Sequence, residues 1–230
     1  MIIQKPRVLL PERALSEDLV LRLERYARVC YKSEDRIGEE YNARFLQDKI
    51  RMGHESIIEH EKATVMFIID RGVSHEIVRH RIAAYSQEST RYCRYDRDKF
   101  GNEISVIEPY FFLNRPDAWQ LWVEACETAE QKYLAMLRSG CSAQEARSVL
   151  PNSLKTEIVV TYNMREWRHF FRLRCDPASH PQMRQVAIPL LLAFQEKLPV
   201  LFNGIEYDTK FPAEHYAQVL PCDDLFNPLP

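Results

Sequence analysis

Glycine is scarce, with six in 230 residues, and none builds a GxGxxG or Walker-type loop. A nucleotide or flavin would therefore have to be held by side chains rather than by a backbone cradle. The six cysteines, Cys30, Cys93, Cys126, Cys141, Cys175 and Cys222, form no CxxC pair, so neither a zinc ligand set nor a disulfide framework is expected. No apolar run approaches the roughly 18 residues of a membrane span, and no apolar leader opens the chain. A reducing cytoplasm is the expected compartment, with no membrane partner. An excess of one charge is also missing: Lys+Arg 31 against Asp+Glu 33 gives a net charge of −2. That balance speaks against a nucleic-acid binder working by bulk attraction, so any basic site must be local.

What is present fits one globular domain. Hydrophobic residues at 46% and charged residues at 28% are those of an ordinary soluble chain, and 230 residues bury a core without disulfides. Val8–Leu10 reads as a strand before Pro11. Leu19, Leu23, Tyr26, Ala27 and Cys30 recur at helical spacing after Ser16, which predicts a helix over 16–30. A second helix is expected over 42–52, from Asn42 to Gly53, with Phe45, Leu46 and Ile50 as its apolar face. Ala63–Ile69 is a continuous β-rich run, expected to be buried. Ser74 is placed to cap a short helix through Arg81. Residues 92–102 read as polar and aromatic, and 104–112 as a strand or irregular edge. Pro116–Gly140 reads as a long helix packing through Leu121, Trp122, Ala125, Ala129, Tyr133, Met136 and Leu137. Ser142 with Glu145 forms a capping box, and Leu154–Tyr162 reads as a strand. Asn163 caps a helix over 164–174, and His180-Pro181 opens a last long helix through 198, with Pro189 inside it. The tail over 200–230 is expected to wrap the surface or a neighbouring subunit. These elements predict an α+β (mixed α/β) single domain over 1–230, with a central, mostly antiparallel sheet flanked by long helices.

The most informative stretch is Arg79-His80-Arg81-Ile82-Ala83-Ala84-Tyr85-Ser86-Gln87-Glu88-Ser89-Thr90-Arg91-Tyr92. Arginine's planar fork matches phosphate and carboxylate oxygens in pairs, so three arginines and a histidine within 13 residues point to an anionic ligand. A solvated basic surface is the plain alternative. His75-Glu76-Ile77-Val78-Arg79-His80 is close to the zinc-protease HExxH pattern, but its histidines are five apart, roughly 140° around a helix, and the metal reading fails.

Arg79-His80-Arg81 followed by Ser89 and Arg91 resembles the signature of the flavin-dependent thymidylate synthases. Gly53-His54-Glu55-Ser56 with Glu59-His60 is similar to that family's N-terminal motif, and Glu145-Ala146-Arg147 with Leu150-Pro151 to its mid-chain motif. Asn163, Arg165, Leu173-Arg174, Asp176 and His180 resemble its C-terminal block. The ordered matches run from about residue 15 to 200.

The resemblance implies an α/β fold and a homotetramer with sites at subunit junctions. It implies methylation of dUMP at C5 to dTMP, with methylenetetrahydrofolate giving the carbon and NADPH-reduced FAD the hydride. By match, Arg174 faces the uracil as the catalytic cation. Arg79, Gln87, Glu88, Ser89, Thr90, Arg91 and Arg147, with Glu76, are the dUMP set. Ser56, Arg79, His80, Arg81, Gln87, Asn163 and Arg165, with His54 and His169, are the FAD set, and no metal is implied. Cys93 has no evident activator, so no cysteine nucleophile is expected.

Several positions depart from the family pattern. Ala84 stands where serine is common, and Ser86 and Gln87 where some members have Asn and Glu. Glu76 replaces a Gln, and a carboxylate beside a phosphate repels it; His169 replaces an Asn. Two other readings compete: a nucleic-acid module using the Arg/Tyr stretch for stacking and backbone contacts, and a flavoprotein of another reaction type.

Overall fold

The computed structural model describes residues 1–97 and 101–228. Residues 98–100 of the polar stretch over 92–102, and the last two residues of the tail, lie outside the described part. The described residues form eight strands and eight α-helices, interspersed along the chain in keeping with the expected mixed class. The strands are β1 (Ile2–Gln4), β2 (Arg7–Pro11), β3 (Lys62–Asp70), β4 (Ala83–Gln87), β5 (Ser105–Ile107), β6 (Lys155–Asn163), β7 (Gln218–Asp224) and β8 (Asn227–Pro228). The helices are α1 (Glu17–Cys30), α2 (Ala43–Arg51), α3 (Arg71–Ile77), α4 (Pro116–Arg138), α5 (Ala143–Ala146), α6 (Met164–Arg174), α7 (Pro181–Lys197) and α8 (Pro199–Phe202). Six strands form one sheet in the order β4-β6-β3-β2-β7-β8, and β1 pairs in parallel with β5, Ile3 opposite Val106.

The chain gathers into two compact units. The first comprises Met1–Arg7, Phe67–Arg79 and Ser86–Ile158; the second comprises Val8–Met66, His80–Tyr85 and Val159–Pro230.

The first unit is built on α4. Tyr133 is fully buried and Cys126 and Leu137 nearly so, among Tyr95, Ile104, Val106, Ala146 and Leu154. Glu130 accepts the Ile104 N–H at 2.9 Å, and the Trp122 indole donates to Ser153 Oγ at 2.9 Å. The buried stripe therefore runs through Trp122, Cys126, Tyr133 and Leu137. This corrects the expected face at two positions: Leu121 is 68% exposed and Ala125 is exposed, while Cys126 takes the inward place. Leu121 and Ala125 each lie one residue off the stripe, about 100° around the helix.

The second unit has an aromatic core. Tyr162, Trp167, Phe170, Phe171, Phe194 and Phe202 are almost wholly buried, with successive ring centroids 4.7–5.9 Å apart in tilted and edge-on pairs. The Trp167 indole N–H donates to the Ala63 carbonyl at 3.1 Å, so the largest buried ring leaves no polar atom unpaired. Thr64 and Thr161 hydroxyls meet at 2.8 Å between β3 and β6. Truncating a ring of this size in such a core costs about 3–5 kcal/mol.

Two further local expectations need correction, and that of a strand or irregular edge over 104–112 is borne out. Asp70, not Ser74, caps α3: its carboxylate accepts the Val73 N–H at 2.8 Å, and the helix ends at Ile77. A carboxylate at the N-cap outranks a hydroxyl placed one turn later, and Ser74 Oγ instead donates to the Arg71 carbonyl. The edge over 104–112 is a three-residue strand followed by a 3-10 turn at Tyr110–Phe112. The tail contributes two strands, β7 and β8, rather than only wrapping.

Candidate functional site

The candidate residues fall into two clusters, one in each unit. In the first unit, the chain leaves β4 at Gln87 and turns through Glu88-Ser89-Thr90. Gln87 Nε2 donates to Ser74 Oγ at 2.9 Å and Thr156 Oγ1 at 3.2 Å, so the amide bridges α3 and β6. Glu88 accepts from the Tyr95 hydroxyl at 2.9 Å and pairs with Lys155 Nζ at 3.2 Å; Lys155 also reaches Glu157 at 2.5 Å. Burial first, and then Glu88, push the Tyr95 phenol above its ordinary value, so it stays a donor. Ser89 Oγ accepts the Arg91 N–H at 3.3 Å, which closes the turn. Thr90 is buried, and Arg147 Nη1 donates to its hydroxyl at 3.4 Å. Arg79, Arg91 and Arg147 are exposed, and Arg91 lies 5.5 Å from the Tyr92 ring centroid. Glu76 is part-exposed on α3, and its carbonyl accepts the Arg79 N–H at 3.2 Å. This cluster offers a framed turn with Arg91 and Arg147 beside it, cations suited to a phosphate.

The second cluster is centred on His80, only 4% exposed. Its Nδ1 lies 2.7 Å from Glu166 Oε1, and Arg174 Nε donates to its Nε2 at 3.2 Å. The two partners fix the tautomer. A carboxylate can only accept and a guanidinium can only donate, so Nδ1 carries the proton and Nε2 the lone pair. The His169 and Phe170 rings stand edge-on to the imidazole at 5.4 and 5.2 Å, and Tyr162 lies 5.8 Å away. The Tyr85 hydroxyl donates to the His80 carbonyl and meets the Tyr162 hydroxyl at 2.9 Å. Burial holds the His80 imidazole below its ordinary pKa, with the Arg174 cation and His169 acting the same way and Glu166 opposing them. His80 is therefore neutral at neutral pH.

Helix α6 supplies most of this cluster. Asn163 caps it, accepting the Glu166 N–H at 2.8 Å, so the cap that starts the helix also fixes where Glu166 projects. Glu166, His169 and Arg174 follow at spacings that keep them on one broad side. His80, Glu166 and His169 bring three potential ligand atoms within 4.8 Å of one another. A guanidinium already hydrogen-bonded to His80 opposes a second cation there, and the arrangement works as a hydrogen-bond relay.

The other candidates are placed separately. Arg165 pairs with Glu59 at 2.5 Å and lies 3.8 Å from Glu55. His54 Nδ1 meets the Tyr31 hydroxyl at 2.5 Å, with the two rings stacked. Ser56 and Arg81 are exposed. Glu166, Lys155 and Tyr85 were not among the sequence-derived candidates. Glu166 carried a signal in its i, i+3 spacing to His169, but it reads equally well as an ordinary capping partner.

Comparison with known proteins bears on these clusters. Residues 17–200 match the family model described as thymidylate synthase complementing protein. The chain is 36% identical over 188 residues to a protein of Geobacter sulfurreducens named flavin-dependent thymidylate synthase, covering 77% of this chain and 78% of that one. A protein of the same name from Thermococcus onnurineus is 35% identical over 161 residues, 68% of this chain and 64% of that one. Among solved structures, the UMP/dUMP methylase PolB from Streptomyces cacaoi bound with 5-Br dUMP superposes with a TM-score of 0.74 at 22% identity, covering 88% of this chain and 95% of that one. At that identity the likeness is one of fold.

Proposed function

The chain belongs to the thymidylate synthase complementing family, that of the flavin-dependent thymidylate synthases, and on that premise we propose that it methylates dUMP at C5 to give dTMP. Methylenetetrahydrofolate is the proposed carbon donor, NADPH the reductant and FAD the bound cofactor. The observation that carries this reading is the hydrogen bond between His80 and Arg174. It joins the signature arginine-histidine triplet to the family's C-terminal arginine across 94 residues of sequence.

Each cluster has a distinct task in this proposal. Arg79, Arg91 and Arg147 supply charge for the monophosphate, and Ser89 and Thr90 supply hydroxyls within a turn framed by Gln87 and Glu88. Ser89 has no adjacent base and acts as a hydrogen-bond donor, not a nucleophile. Glu76 belongs to the nucleotide set by position, and like-charge repulsion keeps its carboxylate off the phosphate. Arg174 presents a fixed cation to the uracil, which favours the N3-deprotonated, polarised pyrimidine.

The residues also suit a flavin nucleotide without a glycine cradle. Exposed Arg81 offers a cationic fork for a pyrophosphate; Arg79, Gln87, Arg165, Ser56, Asn163, His54 and His169 belong to the proposed flavin set by their match to the family motifs, and His169 stands edge-on to the buried His80 imidazole. Bound FAD, once reduced by NADPH, supplies the hydride that completes the methyl group. Cysteine chemistry is disfavoured: burial pushes the Cys126 thiol up to about 11 and raises Cys175 as well, so neither is a thiolate at neutral pH. The assembly is proposed as a homotetramer in which subunits share these sites.

An absorbance scan of the pure protein, followed by dUMP-dependent NADPH oxidation with methylenetetrahydrofolate, tests the reading. Flavin bands and dTMP formation are expected. A colourless protein that takes up no FAD would overturn it. Arg81→Ala should lose the yellow colour, and Ser89→Ala should weaken dUMP binding.

A further inference from the structure

We propose that His80 is the positioning residue for Arg174, and that Glu166 makes it so by locking the imidazole in the Nδ1–H tautomer. This rests on the thymidylate synthase reading only in naming what Arg174 faces. The geometry stands without it.

The argument begins with a donor count. Arginine has only donors and carboxylate only acceptors, so an imidazole between them satisfies both in one neutral state alone. In that state Nδ1–H donates to Glu166 Oε1 at 2.7 Å and Nε2 accepts from Arg174 Nε at 3.2 Å. The other tautomer sets two lone pairs against each other at Glu166 and two N–H groups against each other at Arg174. Imidazolium keeps the first bond and loses the second. In a site where His80 is 4% exposed, each unmade bond is expensive.

The contact at Nε also has a directional consequence. The guanidinium is planar, and its fork for a planar acceptor is the Nη pair. Fixing Nε to a buried ring fixes the plane in which that fork lies. Arg174 is the last residue of α6, where backbone restraint is weakest, so a side-chain anchor matters most there. The anchor is itself held. The Tyr85 hydroxyl donates to the His80 carbonyl and Phe170 packs edge-on to its ring.

The relay has a pH signature. The titratable and charged groups facing His80 are Glu166, His169 and Arg174 from α6, Tyr162 from β6 and Tyr85 from β4. Tyr162 is pushed above its ordinary value by burial, and both tyrosines stay neutral through the working range. The acid limb of kcat therefore follows His80. Glu166 raises the His80 pKa, so removing its charge moves that limb to lower pH; His169 lowers it, so removing His169 moves the limb to higher pH.

Glu166→Gln and Glu166→Leu, in the FAD-loaded full chain, separate this role from a structural one. Glutamine still accepts from Nδ1–H, so the plateau kcat should stay within about threefold of wild type while the acid limb shifts to lower pH. Leucine removes one of the two groups that select the tautomer and leaves only Arg174 to do so, and kcat should fall roughly 10- to 100-fold, the rate equivalent of one hydrogen bond to a charged group. FAD content and the KM for dUMP should change far less than kcat. Nitrogen-15 NMR of labelled histidines, with His80 assigned by His80→Asn, reads the tautomer directly and needs neither flavin nor turnover. The expected signal is neutral Nδ1–H in wild type and a larger Nε2–H share in Glu166→Leu, where Arg174 alone opposes that tautomer. An Nε2–H signal in wild type overturns the proposal, as does Glu166→Leu with wild-type kcat and an unmoved acid limb. Loss of FAD in parallel with kcat overturns it in favour of a flavin-holding role. A wild type that neither binds flavin nor makes dTMP defeats the functional reading, and the NMR result still decides the relay.

Discussion

Helix α6 carries arginines on two sides, and the two sides are built differently. On one, Arg165, Arg168 and Arg172 converge on Glu55, with Nε or Nη nitrogens 3.8, 3.2 and 2.9 Å from its carboxylate, and Arg165 also reaches Glu59. Arg168 is 6% exposed and donates to the Leu201 carbonyl as well. On the other side, Arg174 gives its Nε–H to a neutral imidazole. One side spends its cations against carboxylates and holds the second unit together. The other turns the Arg174 Nε toward the buried imidazole of His80. Counting arginines along the helix cannot separate these roles; the chemistry of the partner does.

The sharpest way to break this contrast is to remove one arginine from each side. Arg168→Ala removes a buried guanidinium that bonds both Glu55 and the Leu201 carbonyl and should destabilise the fold by about 1.5–3 kcal/mol, read by urea unfolding, with turnover per folded molecule little changed. Arg174→Ala should do the reverse: kcat for dTMP formation falls roughly 10²- to 10³-fold with FAD still bound, an effect on turnover per folded molecule far beyond its effect on the urea midpoint. Equal effects of the two on stability would erase the distinction.

A pH experiment sharpens it further. Burial pushes the Glu55 carboxyl up, but Arg172 and Arg168 outweigh burial and hold it below its ordinary value. A carboxylate whose folded pKa lies below its unfolded one contributes stability that is complete above the unfolded pKa and is lost as pH falls through the folded one. The melting temperature of the wild type should therefore drop on acidification through and below the ordinary carboxylate range. Glu55→Gln should start lower and fall less over that window. The smallest expected effect is at Arg172, whose side chain is 47% exposed: Arg172→Ala should cost no more than about 1 kcal/mol.

Much of the fold was legible because periodicity and capping agreed with burial. The helices α1, α2, α4, α6 and α7 and the strands β3 and β6 follow from apolar spacing, from Asn42 and Asn163 as caps, and from Pro116 and Pro181 at helix starts. Strand β4 was not legible. It lies within the arginine signature, its side chains alternate between part-exposed and exposed, and no apolar face announces it. Strands β1 and β8 are short edge pieces, and β7 lies between β2 and β8; all three are stabilised by pairing, which local composition does not encode. The inward face of α4 was misread because Leu121 is the larger apolar side chain, yet Cys126 lies on the buried stripe. In the site, the residue types were readable and their pairings were not. His80 and Arg174 are each plausible alone, but nothing in a linear chain says that one holds the other. Glu166 reads as a cap partner until the fold turns it toward His80. Spacing puts the arginines at 165, 168 and 172 on one helix face, and only the fold brings Glu55 among them.

The rate of dTMP formation by Arg174→Lys, measured on protein with its full complement of FAD, is the most direct test of an oriented guanidinium. Lysine keeps the positive charge but has neither the Nε–H that His80 accepts nor the planar fork. The expected result is a loss of at least roughly tenfold in kcat with dUMP still bound. A lysine enzyme as fast as wild type would mean that charge alone suffices and that the His80 relay orients nothing that matters.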